Sequence, residues 1–182
     1  MSRILLVSSL GLLAVACTPR RAREESAEPP PTVTLHGARL RSFEGETLVV
    51  SGRAEQVTYQ RTSGDVLGTT VLVHLPRAPG ASDSPFASAS GVDIHAPQME
   101  GSLASKQWTG LGGVVVRTEE GMVANTPRLT YDATARNAHG NEGLTVKGPD
   151  YRLSAERFAL SLPDESYTFE GSVRTVLGAQ RD

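Results

Sequence analysis

Few residues in this chain have the types and spacing to do chemistry. Cys17 is its only cysteine, and the residues ahead of it suggest its use. Arg3, an apolar run over residues 4–15, and then Leu13-Ala14-Val15-Ala16 lead into the thiol. The run is too short to cross a bilayer and has the layout of a secretory signal. Small residues before a lone cysteine resemble a bacterial lipobox, although Ala14 stands where leucine is usual. Residues 1–16 are then a signal to be removed and Cys17 the lipidation site. An ordinary secretory signal with an incidental cysteine is the alternative.

The histidines are His36, His74, His95 and His139. Asp93 and His95 share one face of an alternating segment, the pairing a metal site or an acid/base pair would need. That face lies opposite Val92, Ile94 and Ala96, so it is expected to meet solvent, and no second ligand cluster accompanies it. Gly110-Leu111-Gly112-Gly113 lacks the lysine and following helix of a phosphate loop, and the glycine-heavy stretch 108–113 is expected to be a turn. Glu119-Glu120 before Gly121 reads as a solvated hairpin turn. No nucleophile elbow is present. The expectation is a protein that is not an enzyme, with no catalytic residues, no metal and no cofactor.

The elements that must position everything else are strands. Over residues 151–155, apolar Tyr151, Leu153 and Ala155 alternate with polar neighbours, the period of a strand with one buried face. After Ala155 the beat slips by one residue and resumes at Phe158, Leu160 and Leu162, as at a β-bulge or sharp corner. The same figure occurs at Met122, Ala124, Thr126, Leu129 and Tyr131; at Val92, Ile94, Ala96, Met99 and Gly101; and at Val50, Gly52, Ala54, Val57 and Tyr59. Each copy is followed by a glycine and a short apolar run: Gly68 with Val71 and Val73, Gly113 with Val114 and Val116, Gly143 with Leu144 and Val146, and Gly171 with Val173. Hairpins of one design, roughly thirty residues each, make an internal repeat.

The chain has 182 residues, enough for one domain of ordinary size. Its 18 Lys and Arg against 20 Asp and Glu imply neither nucleic acid nor a strongly charged partner. One cysteine excludes a disulfide framework. Eighteen glycines favour β-structure with many turns. Residues 17–32 carry three consecutive prolines and no apolar periodicity, and read as a disordered, polyproline tether. Residues 33–178 form the β-domain, with a first edge-lying strand over 33–43, a long loop over 76–90, and a fraying tail over 179–182.

Inward positions near each slip are mostly small: Gly52 and Ala54, Ile94 and Ala96, Ala124 and Thr126, Leu153 and Ala155. Larger groups flank them. Stacked side by side, such hairpins either leave an apolar trough or close over it, interiors being normally close-packed. If the trough is open, its lining is expected at Val50, Val92, Ile94, Met122, Leu129, Tyr151, Leu153, Phe158, Leu160 and Phe169, which would suit hydrocarbon chains.

The stretches G-M-V-A-N-T-P-R-L-T-Y-D (121–132), G-N-E-G-L-T-V-K-G (140–148), Y-R-L-S-A-E-R-F (151–158) and F-E-G-S-V-R-T-V (169–176), in that order and spacing, resemble the OstA-like family and, more narrowly, its LptC-like branch. The likeness covers residues 35–177. It implies an all-β fold, an open, twisted antiparallel β-jellyroll of repeated hairpins. It further implies a periplasmic, membrane-anchored part of lipopolysaccharide export, passing lipid A acyl chains along an internal groove. The implied partners are the inner-membrane ABC transporter and an LptA-like bridge protein, joined at the edges 33–43 and 167–177. A lipobox here replaces the transmembrane helix usual in that branch, so the inner membrane is implied and the outer membrane is the alternative. An LptA-like bridge subunit and a structural envelope lipoprotein without cargo are the competing readings.

Overall fold

The computed structural model describes residues 31–77, 91–161 and 166–178. The signal, Cys17 and almost all of the tether, most of the loop over 76–90, and the tail lie outside the described residues. The described chain is all-β. Six strands come first: β1 (Thr32–Glu44), β2 (Thr47–Gln60), β3 (Asp65–Leu75), β4 (Val92–Ser102), β5 (Gln107–Thr118) and β6 (Val123–Asp132). Six shorter ones follow: β7 (Asn137–Gly140), β8 (Leu144–Lys147), β9 (Tyr151–Ala155), β10 (Arg157–Ser161), β11 (Ser166–Glu170) and β12 (Arg174–Leu177). All pair antiparallel with their neighbours in one open sheet, a β-jellyroll-like arrangement that does not close into a barrel.

From β1 to β6 each strand pairs with the next, and at β6 the sheet divides. Residues Thr130, Tyr131 and Asp132 pair with β7, while Val123, Ala124 and Asn125 pair with β8. One branch runs β7-β10-β11 and the other β8-β9-β12. The division follows from the slips in the sequence. Each returning arm of the C-terminal half is broken where the alternation loses its beat: at residues 141–143, at Glu156, and at 171–173. Gly143 (φ 97°) and Gly171 (φ 68°) supply left-handed backbone at two of these breaks. In the N-terminal half the slips are absorbed without breaking the strand, as register shifts between His95 and Gln98 and between Leu111 and Val114.

The slips line up across the sheet. Ala54, Val71, Ala96, Val114, Thr126, Leu144 and Ala155 are all buried, Val114 at 1% exposure most completely. They mark one corner along which the whole sheet folds into two leaves. A Cβ added at Gly110 would meet Val114 Cγ2 at 2.9 Å and the Ala96 Cβ at 3.3 Å, so small residues at this line are a packing requirement.

One expectation is corrected here. Residues 108–113 are not a turn; they lie inside β5. Gly112 (φ 80°) and Gly113 (φ 96°) form the bulge at the corner, and the chain reverses at residues 103–106 instead. Two glycines with positive φ in an otherwise alternating segment re-aim a strand as readily as they reverse it.

Candidate functional site

Alternation and register together define the inner face of the folded sheet. On one leaf, cross-strand partners run Leu40, Gly52, Val73, Ile94, Val116, Ala124, Val146, Leu153 and Thr175, one from each strand in turn. On the other leaf the row Leu35, Val57, Gly68, Met99, Gly110 and Leu129 lies nearest the corner. At about 4.8 Å per strand, an apolar row that crosses eight strand spacings is roughly 38 Å long.

Exposure changes along that length. In the C-terminal half, Met122, Leu144, Val146, Leu153, Ala155 and Phe158 form a buried cluster, with Ala124, Leu129, Tyr151, Leu160 and Phe169 packed against it. Residues from both branches meet there, so the leaves are closed on one another. In the N-terminal half the inner side chains away from the corner are only partly buried, and on β1 they are open to solvent, Leu35 at 52% and Leu40 at 56%.

The ten residues expected to line a trough therefore divide. Met122, Leu129, Tyr151, Leu153, Phe158, Leu160 and Phe169 belong to or pack on the closed cluster. Val50, Val92 and Ile94 sit half-buried on the open part, on β2 and β4. Several small positions are also covered: the Trp108 ring occupies the space above Gly101, the Phe158 ring that above Gly140, and the Tyr151 ring that above Gly148. Burial pushes the phenols of Tyr131 and Tyr151 up from their ordinary value, which reflects a weakly hydrated setting for both rings.

Residues that the repeat did not single out extend the open surface. Leu35 and Leu40 are inward on β1 because the beat slips there too, with Gly37 (φ 62°) between His36 and Ala38 left out of the pairing. That slip was visible in the order Val33, Leu35, Ala38, Leu40. The inward Trp108 was hidden by the glycines after it.

On the outer face, His74 Nδ1 lies 2.8 Å from Asp93 Oδ1, both groups exposed. His95 is cross-strand from Leu72 and Val115, not beside a second ligand. Among the described residues no cluster of three His, Cys, Asp or Glu is placed to hold a metal ion. A hollow of about 400 Å³ opens on this outer face, lined by Asn125, Lys147, Arg152, Ser154, Arg174 and Val176 among others.

Among the described residues both ends of the sheet are unpaired edges: β1 pairs only with β2, β11 only with β10, and β12 only with β9. Exposed apolar residues gather at these ends: Val33, Leu35, Leu40 and Phe43 on β1, Val176 and Leu177 on β12, and Val173 just before it. No helix among the described residues is long and apolar enough to cross a membrane. No protein-family model matches this chain, and no curated protein matches it.

Proposed function

We propose that this protein carries lipid acyl chains on the open, N-terminal part of its inner face. In this reading it is a membrane-anchored periplasmic component of lipopolysaccharide export. Cys17 is the lipidation site, the inner-membrane ABC transporter delivers the lipid across the β1 edge, and an LptA-like bridge protein receives it at the β11 and β12 edges. Its supports are the resemblance of residues 35–177 to LptC-like proteins and one structural observation. That observation is the apolar row that leads without a polar interruption from exposed Leu40 through Val73, Ile94 and Val116 into the buried cluster. A partly covered apolar strip that opens to solvent at β1 suits an interaction site better than plain solvent-facing sheet, and each sheltered methylene contributes about 0.8 kcal/mol.

The closed cluster around Phe158 favours a second reading, a structural envelope lipoprotein with no cargo. A photo-crosslinker separates the two. Placed at Ile94 it should capture lipopolysaccharide, and placed at Asp93, one residue away on the outer face, it should capture far less. Equal capture at both positions, or none at Ile94, ends the carrier reading. Capture at Leu153 as well would mean that the closed half opens during transfer.

A further inference from the structure

Near-neutral composition conceals a separation of charge between the two outer faces. On the leaf carrying the 400 Å³ hollow, the strand positions that point away from the core hold Arg39, Arg41, Arg53 and Arg117 on β1, β2 and β5, and Lys147, Arg152 and Arg174 on β8, β9 and β12. All of these are exposed. The carboxylates among the described strand positions of that leaf are Asp93, which is held by His74, Glu44 at the end of β1, and Glu55 at the corner, which accepts from Thr70. The strand positions of the other outer face read the opposite way, with Arg61, Lys106 and Arg136 at its turns. Arg128 there is bridged to Glu100 and Glu142, Arg157 is bridged to Glu170, and Asp65 and Asp132 add further negative charge. Glu44, Glu46, Glu119, Glu120 and Asp150 lie at strand ends and turns on the rim of the cationic leaf, off its flat surface.

One feature of the cationic face costs stability: Arg39 stands directly across from Arg53. Like charges at facing sheet positions repel. Folding alone gives no reason to place them so; an anionic surface lying against the face does.

We propose that this face docks on a membrane through its anionic headgroups. The cations are spread over about 38 Å, the span of the sheet, which fits a lattice of headgroups better than a single small anion. Where three of them converge, the hollow adds Asn125, Thr145 and Ser154, side chains able to donate hydrogen bonds to phosphate oxygens. No Phe, Tyr or Trp stands in these outer rows, whose only aromatic rings are the imidazoles of His74 and His95, so the stacking platform usual in a nucleic-acid binder is missing. Leu72, Val115, Val123 and Val176 lie between the cations instead, which suits the boundary between headgroups and acyl chains. The inference stands whether or not the inner face carries lipid.

The test is co-sedimentation of the full chain with vesicles of phosphatidylcholine, with and without one-third phosphatidylglycerol. Any N-terminal acyl anchor contributes to both, so the ratio of the two affinities isolates the face. The ratio should exceed one clearly at low salt and fall toward one at about 0.5 M salt. Removing the three cations of the hollow (Lys147→Gln, Arg152→Gln, Arg174→Gln) should lower the ratio about a hundredfold, at about fivefold for each cation near the surface. A separate variant at the far end (Arg39→Gln, Arg53→Gln) should lower it about twentyfold by the same rule. The Arg39, Arg53 variant relieves a facing like-charge pair and should not lower the melting temperature. The control Arg128→Gln, Arg157→Gln on the other leaf should leave the ratio unchanged. A wild-type ratio of one, a ratio unmoved by both cation-face variants, or an equal loss in the control would overturn the proposal. So would short duplex DNA that competes for the face at concentrations where the vesicles bind.

Discussion

The N-terminal and C-terminal halves of this sheet are built on one repeat and share one corner, yet they treat the inner face in opposite ways. In β2 to β5 the chain passes the corner as a continuous strand, with bulges that take up the slip. From β7 onward the same slip breaks each arm into two short strands, freeing the leaves to turn toward one another and bury Phe158, Leu153 and Met122. The breaks are tied together along the corner. Thr126 Oγ1 donates to the Gly143 carbonyl at 2.8 Å, the Gly143 N–H donates to the Glu156 carbonyl at 2.9 Å, and the Glu156 N–H reaches the Glu170 carbonyl at 3.1 Å. Ser172 Oγ completes the line by donating to Glu156 Oε1 at 2.6 Å. A bulge keeps a leaf open, and a break with its own hydrogen bonds lets the leaf close. One sequence motif thus gives either outcome, depending on whether backbone partners exist at the slip.

The largest effect should separate the halves by stability. Phe158→Ala removes a side chain that is 4% exposed from the centre of the closed cluster, and should cost about 3–5 kcal/mol. Ile94→Ala, in the open half, deletes a side chain that is only partly buried and should cost less, about 1–2 kcal/mol. Urea unfolding of the two variants checks this. Comparable losses would mean that the open half is as tightly packed as the closed one.

A smaller effect tests the corner itself. Thr126 is 3% exposed, and its hydroxyl lies 2.8 Å from the Gly143 carbonyl and 2.9 Å from the Arg128 carbonyl. Thr126→Val keeps the shape and strips the donor, leaving the carbonyls short of a partner at a cost of about 1–3 kcal/mol. At Ala54 and Ala96 the N-terminal half fills the same line with alanine and has no such bond to lose. The variant should therefore raise amide exchange in β7 to β12 while leaving β2 to β4 protected. Uniform loosening of the whole sheet would show that the halves are not separable.

Much of this was legible in the chain alone, and the reason is the period of two. The small residues at the slips, Ala54, Ala96, Thr126 and Ala155, were identified from spacing and all lie in the buried corner. The two edges also fall where the first and last alternating segments ended. Depth was not legible. Ile94 and Leu153 occupy equivalent places in the repeat and the same cross-strand row, and only the closure of the leaves buries one and leaves the other partly exposed. Val173, aligned in the repeat with Val114, is 49% exposed, in the break just before the edge strand β12. The division of charge was invisible for another reason. Net charge is a sum over the chain, whereas the sign of a face needs the register of every strand. Lys147 and Arg152 look unremarkable until the pairing sets them opposite each other.

The smallest effect concerns acid. The turn from β6 to β7 is held by Asp132, whose Oδ1 accepts from the backbone N–H groups of Ala135 at 2.9 Å and Thr134 at 2.8 Å. The bond from Ala135 is the first cause of a carboxyl pKa held below its ordinary value. The corresponding turn from β4 to β5 uses Ser102 and Ser105 hydroxyls in place of a carboxylate. A lowered folded pKa stabilises the turn at pH above the unfolded value of about 3.9, and that contribution is lost as pH falls through the folded one. Amide exchange at Thr134 and Ala135 should therefore speed up, relative to Ala104, as pH drops below about 4, after correction for intrinsic rates. Asp132 is solvent-exposed, so the change should stay local and modest. In Asp132→Asn the difference between the turns should no longer depend on pH. If Ala104 responds to acid as strongly as Thr134 does, the carboxylate is not what distinguishes the two halves at this end of the sheet.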